Sequence, residues 1–213
     1  MSLAPLTRRT VLAALIAGVV APAAAYALTD EQSTALREIS SSLSQVQTMN
    51  GEFVQFNPNG EQLQGQFYIA RPGRVRFQYD EPSSTQVIAD GKSVLVFDKK
   101  MQTYDIWPLS QTPLRLLLDS NLELATSDKV TNVGVAPDLV EVVLQDETRF
   151  SAGTLNLIFD RGTHELRQWT VTDKQGLQTM VALYNVEIGN RLNEELFEID
   201  YQAATNRARE RSQ

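Results

Sequence analysis

The sequence predicts a mainly β protein with an α lid: an incomplete antiparallel barrel of about eleven strands covered by short helices. Three observations carry this. Apolar residues alternate with polar ones at period two over most of the chain after residue 50, the spacing of half-buried strands. Turn dipeptides such as Pro72-Gly73 and Asp90-Gly91 separate these runs at hairpin distances, with no long crossover between them. Only two stretches show helical spacing. Eleven strands about 4.8 Å apart make a flat sheet roughly 50 Å wide, which two helices about 10–12 Å thick cannot cover. A meander of that width curls, and the helices then lie across its opening.

The chain opens on Arg8-Arg9, an apolar run Val11–Val20 and an A-x-A site at Ala25-Tyr26-Ala27. A basic segment, a short apolar core and small residues at the cut are the layout of a secretory signal peptide, assigned to residues 1–27. Thr7–Leu12 also resembles a twin-arginine export signal, so both export routes stay open. Thr29 with Gln32 forms a predicted capping box, and Asp30 and Glu31 suit the first turn of a helix. Leu36, Ile39, Leu43 and Val46 mark one face of that helix to about residue 48. Such a helix either packs permanently on the sheet or rests on an apolar concavity that it can leave.

Strands are expected near 51–56, 63–70, 75–79, 85–89, 93–98 and 102–107. In Gly65–Tyr79 a three-residue loop, Pro72 to Arg74, would pair Ile69 with Phe77 and Phe67 with Tyr79 on one buried face. Arg71 would then lie opposite Val75, at the rim of that face. Beside a β-turn an arginine is ordinarily solvent-facing; at the mouth of an apolar face its donors could instead bind helix-end carbonyls and hold a lid shut. Thr112 and Pro113 open a short leucine-rich helix, Leu114 to Asp119, whose leucines leave little polar surface. Strands resume near 129–135, 139–145, 153–159, 165–172 and 177–188, followed by a short segment Asn193–Ile199 and a solvated tail, 205–213.

Strands apolar on both faces, such as Leu177–Ile188 and Val94–Phe97, either fill a barrel core or line a cavity for an apolar ligand. Removing the leader takes the formal charge from −7 to −9, with 17 basic against 26 acidic side chains. That disfavours nucleic acid and anionic bilayers as partners. With no Cys and one His, His164 in a turn, thiol catalysis is excluded and a metal site is not expected. Nucleotide, serine-hydrolase and zinc-protease motifs are absent from the sequence, so no catalytic residue and no cofactor are assigned.

The motifs Gly51-x-Phe53-x-Gln55, Gly65-x-Phe67 and Arg71-Pro72-Gly73-Arg74-Val75-Arg76-Phe77-x-Tyr79-x-x-Pro82 occur in that order. Ala89-Asp90-Gly91-Lys92 and Thr112-Pro113-Leu114-x-x-Leu117-Leu118 follow. Together they resemble the outer-membrane lipoprotein carrier family, LolA. The resemblance runs over about residues 29–200 and implies a half-barrel carrier domain, here 28–204. It implies a periplasmic, monomeric, non-enzymatic carrier that takes acylated lipoproteins from an inner-membrane ABC-type release complex. The carrier passes them to an outer-membrane acceptor where one exists. The family's lid-engaging arginine falls on Arg71. The family's apolar hairpin residues fall on Phe67, Ile69, Val75, Phe77 and Tyr79; from the strand and helix patterns above, Leu95 and Phe97 are added to the cavity, and Leu36, Ile39, Leu43, Leu114, Leu117 and Leu118 are assigned to the lid. Val75 stands where some members have a bulky aromatic. Two other readings are a carrier of another lipid or glycolipid, and an envelope-stress sensor that binds a partner protein.

Overall fold

The computed structural model describes residues 28–120, 122–146 and 153–211; the signal peptide assigned to residues 1–27 lies outside them. Its centre is one antiparallel sheet of eleven strands among the described residues. The strands are β1 (Thr48–Phe56), β2 (Gln62–Ala70), β3 (Arg74–Tyr79), β4 (Thr85–Asp90), β5 (Ser93–Asp98) and β6 (Thr103–Pro108). Then come β7 (Val130–Val135), β8 (Leu139–Asp146), β9 (Gly153–Asp160), β10 (Leu166–Thr172) and β11 (Gln178–Ile188). Their order, β6-β5-β4-β3-β2-β1-β11-β10-β9-β8-β7, is two meanders joined where β1 meets β11.

The sheet curls strongly. Phe77 on β3 and Trp169 on β10 are four strand steps apart, about 19 Å along a flat sheet. Their ring centroids nevertheless lie 5.9 Å apart. Facing strands thus bring their inner side chains together, while the end strands β6 and β7 remain unpaired with each other.

Among the described residues three α-helices complete the fold: α1 (Asp30–Gln45), α2 (Leu114–Leu117) and α3 (Tyr201–Arg211). The capping box of α1 forms as expected: Gln32 N donates to Thr29 Oγ1 (3.2 Å) and Thr29 N to Gln32 Oε1 (2.9 Å). The helix ends at Gln45 rather than near residue 48, and β1 starts correspondingly early, at Thr48. Thr112 does not cap α2. Its hydroxyl donates to the Leu109 carbonyl (2.9 Å) and closes the 3-10 turn Leu109–Gln111 instead.

Into the expected solvated tail, 205–213, α3 continues through Arg211, with Thr205 and Asn206 exposed. The segment is rich in Ala and Arg, good helix formers without an apolar stripe, so periodicity could not reveal it. Ala204 is buried, and the Tyr201 hydroxyl donates to Asp90 Oδ2 (2.7 Å), anchoring the helix near the β4–β5 turn.

Candidate functional site

The inner face of the sheet follows from the strand registers. Phe67 pairs with Phe77, Ile69 with Val75 and Gly65 with Tyr79, so these side chains share one face. The rings of Phe53 and Tyr79 flank Gly65 in one row and meet edge-to-face over it, with centroids 5.0 Å apart. The register expected from sequence is therefore corrected by two residues. The loop is Arg71–Gly73, and Ala70, not Arg71, faces β3 across it. A slip of two leaves every side chain on its own face, so alternation cannot detect it. Turn geometry decides instead: Gly73, at φ +75, is the left-handed third residue that a three-residue hairpin loop requires.

Phe67, Ile69, Val75 and Phe77 are buried against the helices, and Tyr79 is partly buried. Burial pushes the Tyr79 phenol above its ordinary pKa, opposed by its hydrogen bond to Gln55; Tyr79 Oη donates to Gln55 Oε1 at 2.7 Å.

Leu95 and Phe97 do not belong to this face. Val94 pairs with Ala89 and Val96 with Val87, both on the inner face, which places Leu95 and Phe97 outside. Leu95 is buried there nonetheless, as are Ile88, Phe197 and Ala204, and these four stand apart from the main core. The C-terminal segment supplies the cover. Arg76 Nη1 donates to the Leu196 carbonyl (3.2 Å), Arg74 pairs with Glu194, and the Arg74 guanidinium sits 5.4 Å from the Phe197 ring centre. An apolar strand face says that something covers it, not on which side of the sheet the cover lies.

The concavity is filled, and helices do the filling. Leu36, Ile39 and Leu43 of α1 enter it, fully or almost fully buried, together with Leu116, Leu117, Leu118 and Leu124. Leu114 is partly buried against the same core. Burying a Leu or Ile side chain stabilises by about 1.5–3 kcal/mol, so the three from α1 contribute roughly 5–9 kcal/mol to holding the helix down.

Polar ties pin α1 along its length. At its start, Gln32 Nε2 donates to the Val133 carbonyl on edge strand β7 (2.7 Å), and Arg161 bridges Glu31 and the Ala136 carbonyl, each at 2.8 Å. In the middle, Ser40 Oγ donates to the Leu36 carbonyl (2.7 Å) and accepts from Leu124 N (3.0 Å). His164 Nε2 lies 3.4 Å from Glu38 Oε2. At its end, Arg71 Nη1 donates to the Leu43 carbonyl (2.9 Å), which also accepts from Val46 N (3.1 Å).

Arg71 is 5% exposed. Burial lowers its pKa from the ordinary value, opposed by the charge of Asp119, and its Nε has no partner among the described residues. The rest of the turn is tied in by backbone: Arg71 N donates to the Gln47 carbonyl (2.8 Å) and Gly73 N to the Leu118 carbonyl (3.0 Å). One hairpin turn thus touches both α1 and the Leu114–Leu118 segment.

Arg71 was visible in the sequence; Ser40 and Arg161 were missed. Ser40 had a signal, a hydroxyl four residues after Leu36 on the apolar stripe of α1. Arg161, in a polar turn far from α1 in sequence, had none.

The family model of the outer membrane lipoprotein carrier protein LolA matches residues 44–200. The chain belongs to the LolA family. Among curated relatives, an outer-membrane lipoprotein carrier protein of Pseudomonas aeruginosa is 25% identical over 180 residues, 80% of this chain and 85% of the relative. The Azotobacter vinelandii LolA relative, bearing the same name, is 24% identical over 212 residues, 93% of this chain and 96% of that one. Among solved structures, a LolA superfamily protein from Nitrosomonas europaea aligns at TM-score 0.42 and 12% identity, covering 80% of this chain and 99% of its own. MucB in the Pseudomonas aeruginosa MucA/MucB complex aligns at TM-score 0.46 and 14% identity, covering 79% of this chain and 61% of that one.

Proposed function

We propose that this protein shields the acyl chains of lipoproteins in its concavity and carries them through the periplasm from the inner to the outer membrane. An ABC-type release complex loads it, and an outer-membrane acceptor unloads it. Membership of the LolA family supports the carrier role. One observation carries the mechanism: the apolar inner face is closed by helices that polar ties hold, Arg71 among them, rather than by strands that cannot leave.

The energetics suit loading and release. Ten methylenes leaving water for the inner face contribute about 8 kcal/mol, comparable with the roughly 5–9 kcal/mol that α1 loses when Leu36, Ile39 and Leu43 withdraw. Lid and cargo therefore compete for the trough, and closure of α1 offsets the binding of about ten of the cargo's methylenes. A permanently open trough would bind acyl chains too tightly to give them up. No step requires a covalent bond to form, so Phe67, Ile69, Val75, Phe77 and Tyr79 serve as surface and Arg71 as latch.

The test is capture of cargo. Immobilised protein is incubated with one lipoprotein in triacylated form and with the same polypeptide lacking its acyl chains. Retention of the acylated form alone is expected; equal retention of both would refute the acyl-binding role.

A further inference from the structure

One row of inner-face partners crosses seven strands: Trp107, Val94, Ala89, Val75, Ile69, Met49 and Ile188, each paired with the next. The five middle members are buried, while Trp107 and Ile188 at the two ends are each 46% exposed. The apolar surface beneath the lid therefore reaches solvent at two places while the lid is closed.

The Ile188 end lies beside α1. It opens into a groove of about 710 Å³ between β11 and the last turns of α1. Val46 and Ile188 form its apolar part; Arg37, Ser41, Ser42 and Gln45 line it from the helix. His164 and Glu38, 3.4 Å apart, also border it. The latch stands directly behind. Arg71 holds the Leu43 carbonyl through its side chain and the Gln47 carbonyl through its backbone, on either side of Val46.

We propose that this groove is the port through which acylated cargo enters and that it seats the cargo's polar junction. The proposal rests on the carrier reading above. An acyl chain laid on Ile188 meets Met49 and then Ile69 at steps of about 4.8 Å, with no polar side chain between them in the row. Sliding inward, it displaces Val46 and draws α1 away from Arg71, so loading and unlatching happen at one place. The serine hydroxyls, the Gln45 amide and the Arg37 guanidinium suit the ester carbonyls and first peptide units, which have to stay in water. The groove's mixed lining thereby sets the direction of entry, chains first and polypeptide outside.

The test is stopped-flow uptake of a pyrene-labelled diacyl lipopeptide by the purified protein. Ile188→Asp is expected to load about tenfold more slowly or worse, because an apolar chain cannot pass an unpaired carboxylate cheaply. Ser41→Trp, which fills the groove from an exposed helix position, is expected to slow loading as well, and Trp107→Asp, at the far end of the row, to slow it less than either. Wild-type rates in both groove variants would overturn the port, as would slowing confined to Trp107→Asp. No uptake by the wild type would instead remove the carrier reading on which the port depends.

Discussion

Replacing Arg71 with leucine tests the latch. In the closed state the guanidinium donates to the Leu43 carbonyl at 2.9 Å, and a hydrogen bond from a charged group contributes about 1.5–3 kcal/mol. Its Nε is buried without a partner among the described residues, which costs about 1–3 kcal/mol and cancels much of that gain. Leucine removes these terms together with the attraction of Asp119, so the end of α1 is held down less firmly. The loaded state changes more. An arginine offers an acyl chain little apolar surface, whereas a leucine at the same turn adds about 1.5–3 kcal/mol of burial. Arg71→Leu is therefore expected to accept lipopeptide normally and to retain it roughly 10- to 150-fold more tightly, at 1.4 kcal/mol per factor of ten. The assay loads a pyrene-labelled lipopeptide and follows its transfer to an excess of acceptor vesicles. Transfer slowed by at least about tenfold supports the reasoning; transfer at the wild-type rate refutes it.

Other consequences follow from particular contacts. Leu36→Ala, at a side chain with no exposed surface, should cost about 2–5 kcal/mol and charge it to lid closure. Hydrogen exchange should then speed up in α1 while β1 and β2 keep their protection; uniform loss across the strands would make α1 an ordinary core helix. A Cβ at Gly51 would sit 2.7 and 2.8 Å from the carbonyl oxygens of Tyr184 and Asn185, and 3.0 Å from Phe67 Cε1. Gly51→Val is accordingly expected to destabilise by about 1–3 kcal/mol and to lower Tm by roughly 2–12 °C, and an unchanged calorimetric Tm would contradict this. At Asp90, burial raises the carboxyl pKa. Hydrogen bonds from Ser93 N–H, the Tyr201 hydroxyl and Lys92 N–H together outweigh it and hold the pKa below the ordinary aspartate range. The ionised form is the one stabilised. Its contribution is complete above about pH 4 and disappears as pH falls through the lower folded value. Urea denaturation between about pH 5 and 2 should show Asp90→Asn losing less stability on acidification than the wild type; parallel losses would refute the linkage.

Strand existence was legible because alternation and turn chemistry agree at each hairpin. All eleven strands lie within three residues of where the pattern puts them. What failed needed information that period two does not contain. The β2–β3 register slipped by two because parity is blind to even shifts, and only the conformation of Gly73 separates the alternatives. Leu95 and Phe97 were placed on the wrong face because β5 is buried on both, through Val94 on the inner side and Leu95 on the outer. The Arg71 turn was readable as a candidate because a guanidinium beside an apolar strand face is out of place. Its partner, a backbone carbonyl twenty-eight residues earlier, leaves no mark in sequence. The same holds for Arg161, whose partners are a carbonyl and a helix carboxylate distant along the chain.

The central claim is that α1 and an acyl chain occupy the same trough in turn. Spin labels at Ser44, exposed near the end of α1, and Gln66, on the outer face of β2, measure it directly by pulsed dipolar spectroscopy. Adding diacyl lipopeptide is expected to lengthen the distance by about one helix diameter, roughly 10 Å, while adding the deacylated peptide changes nothing. A distance that stays fixed when lipopeptide is demonstrably bound would contradict the account.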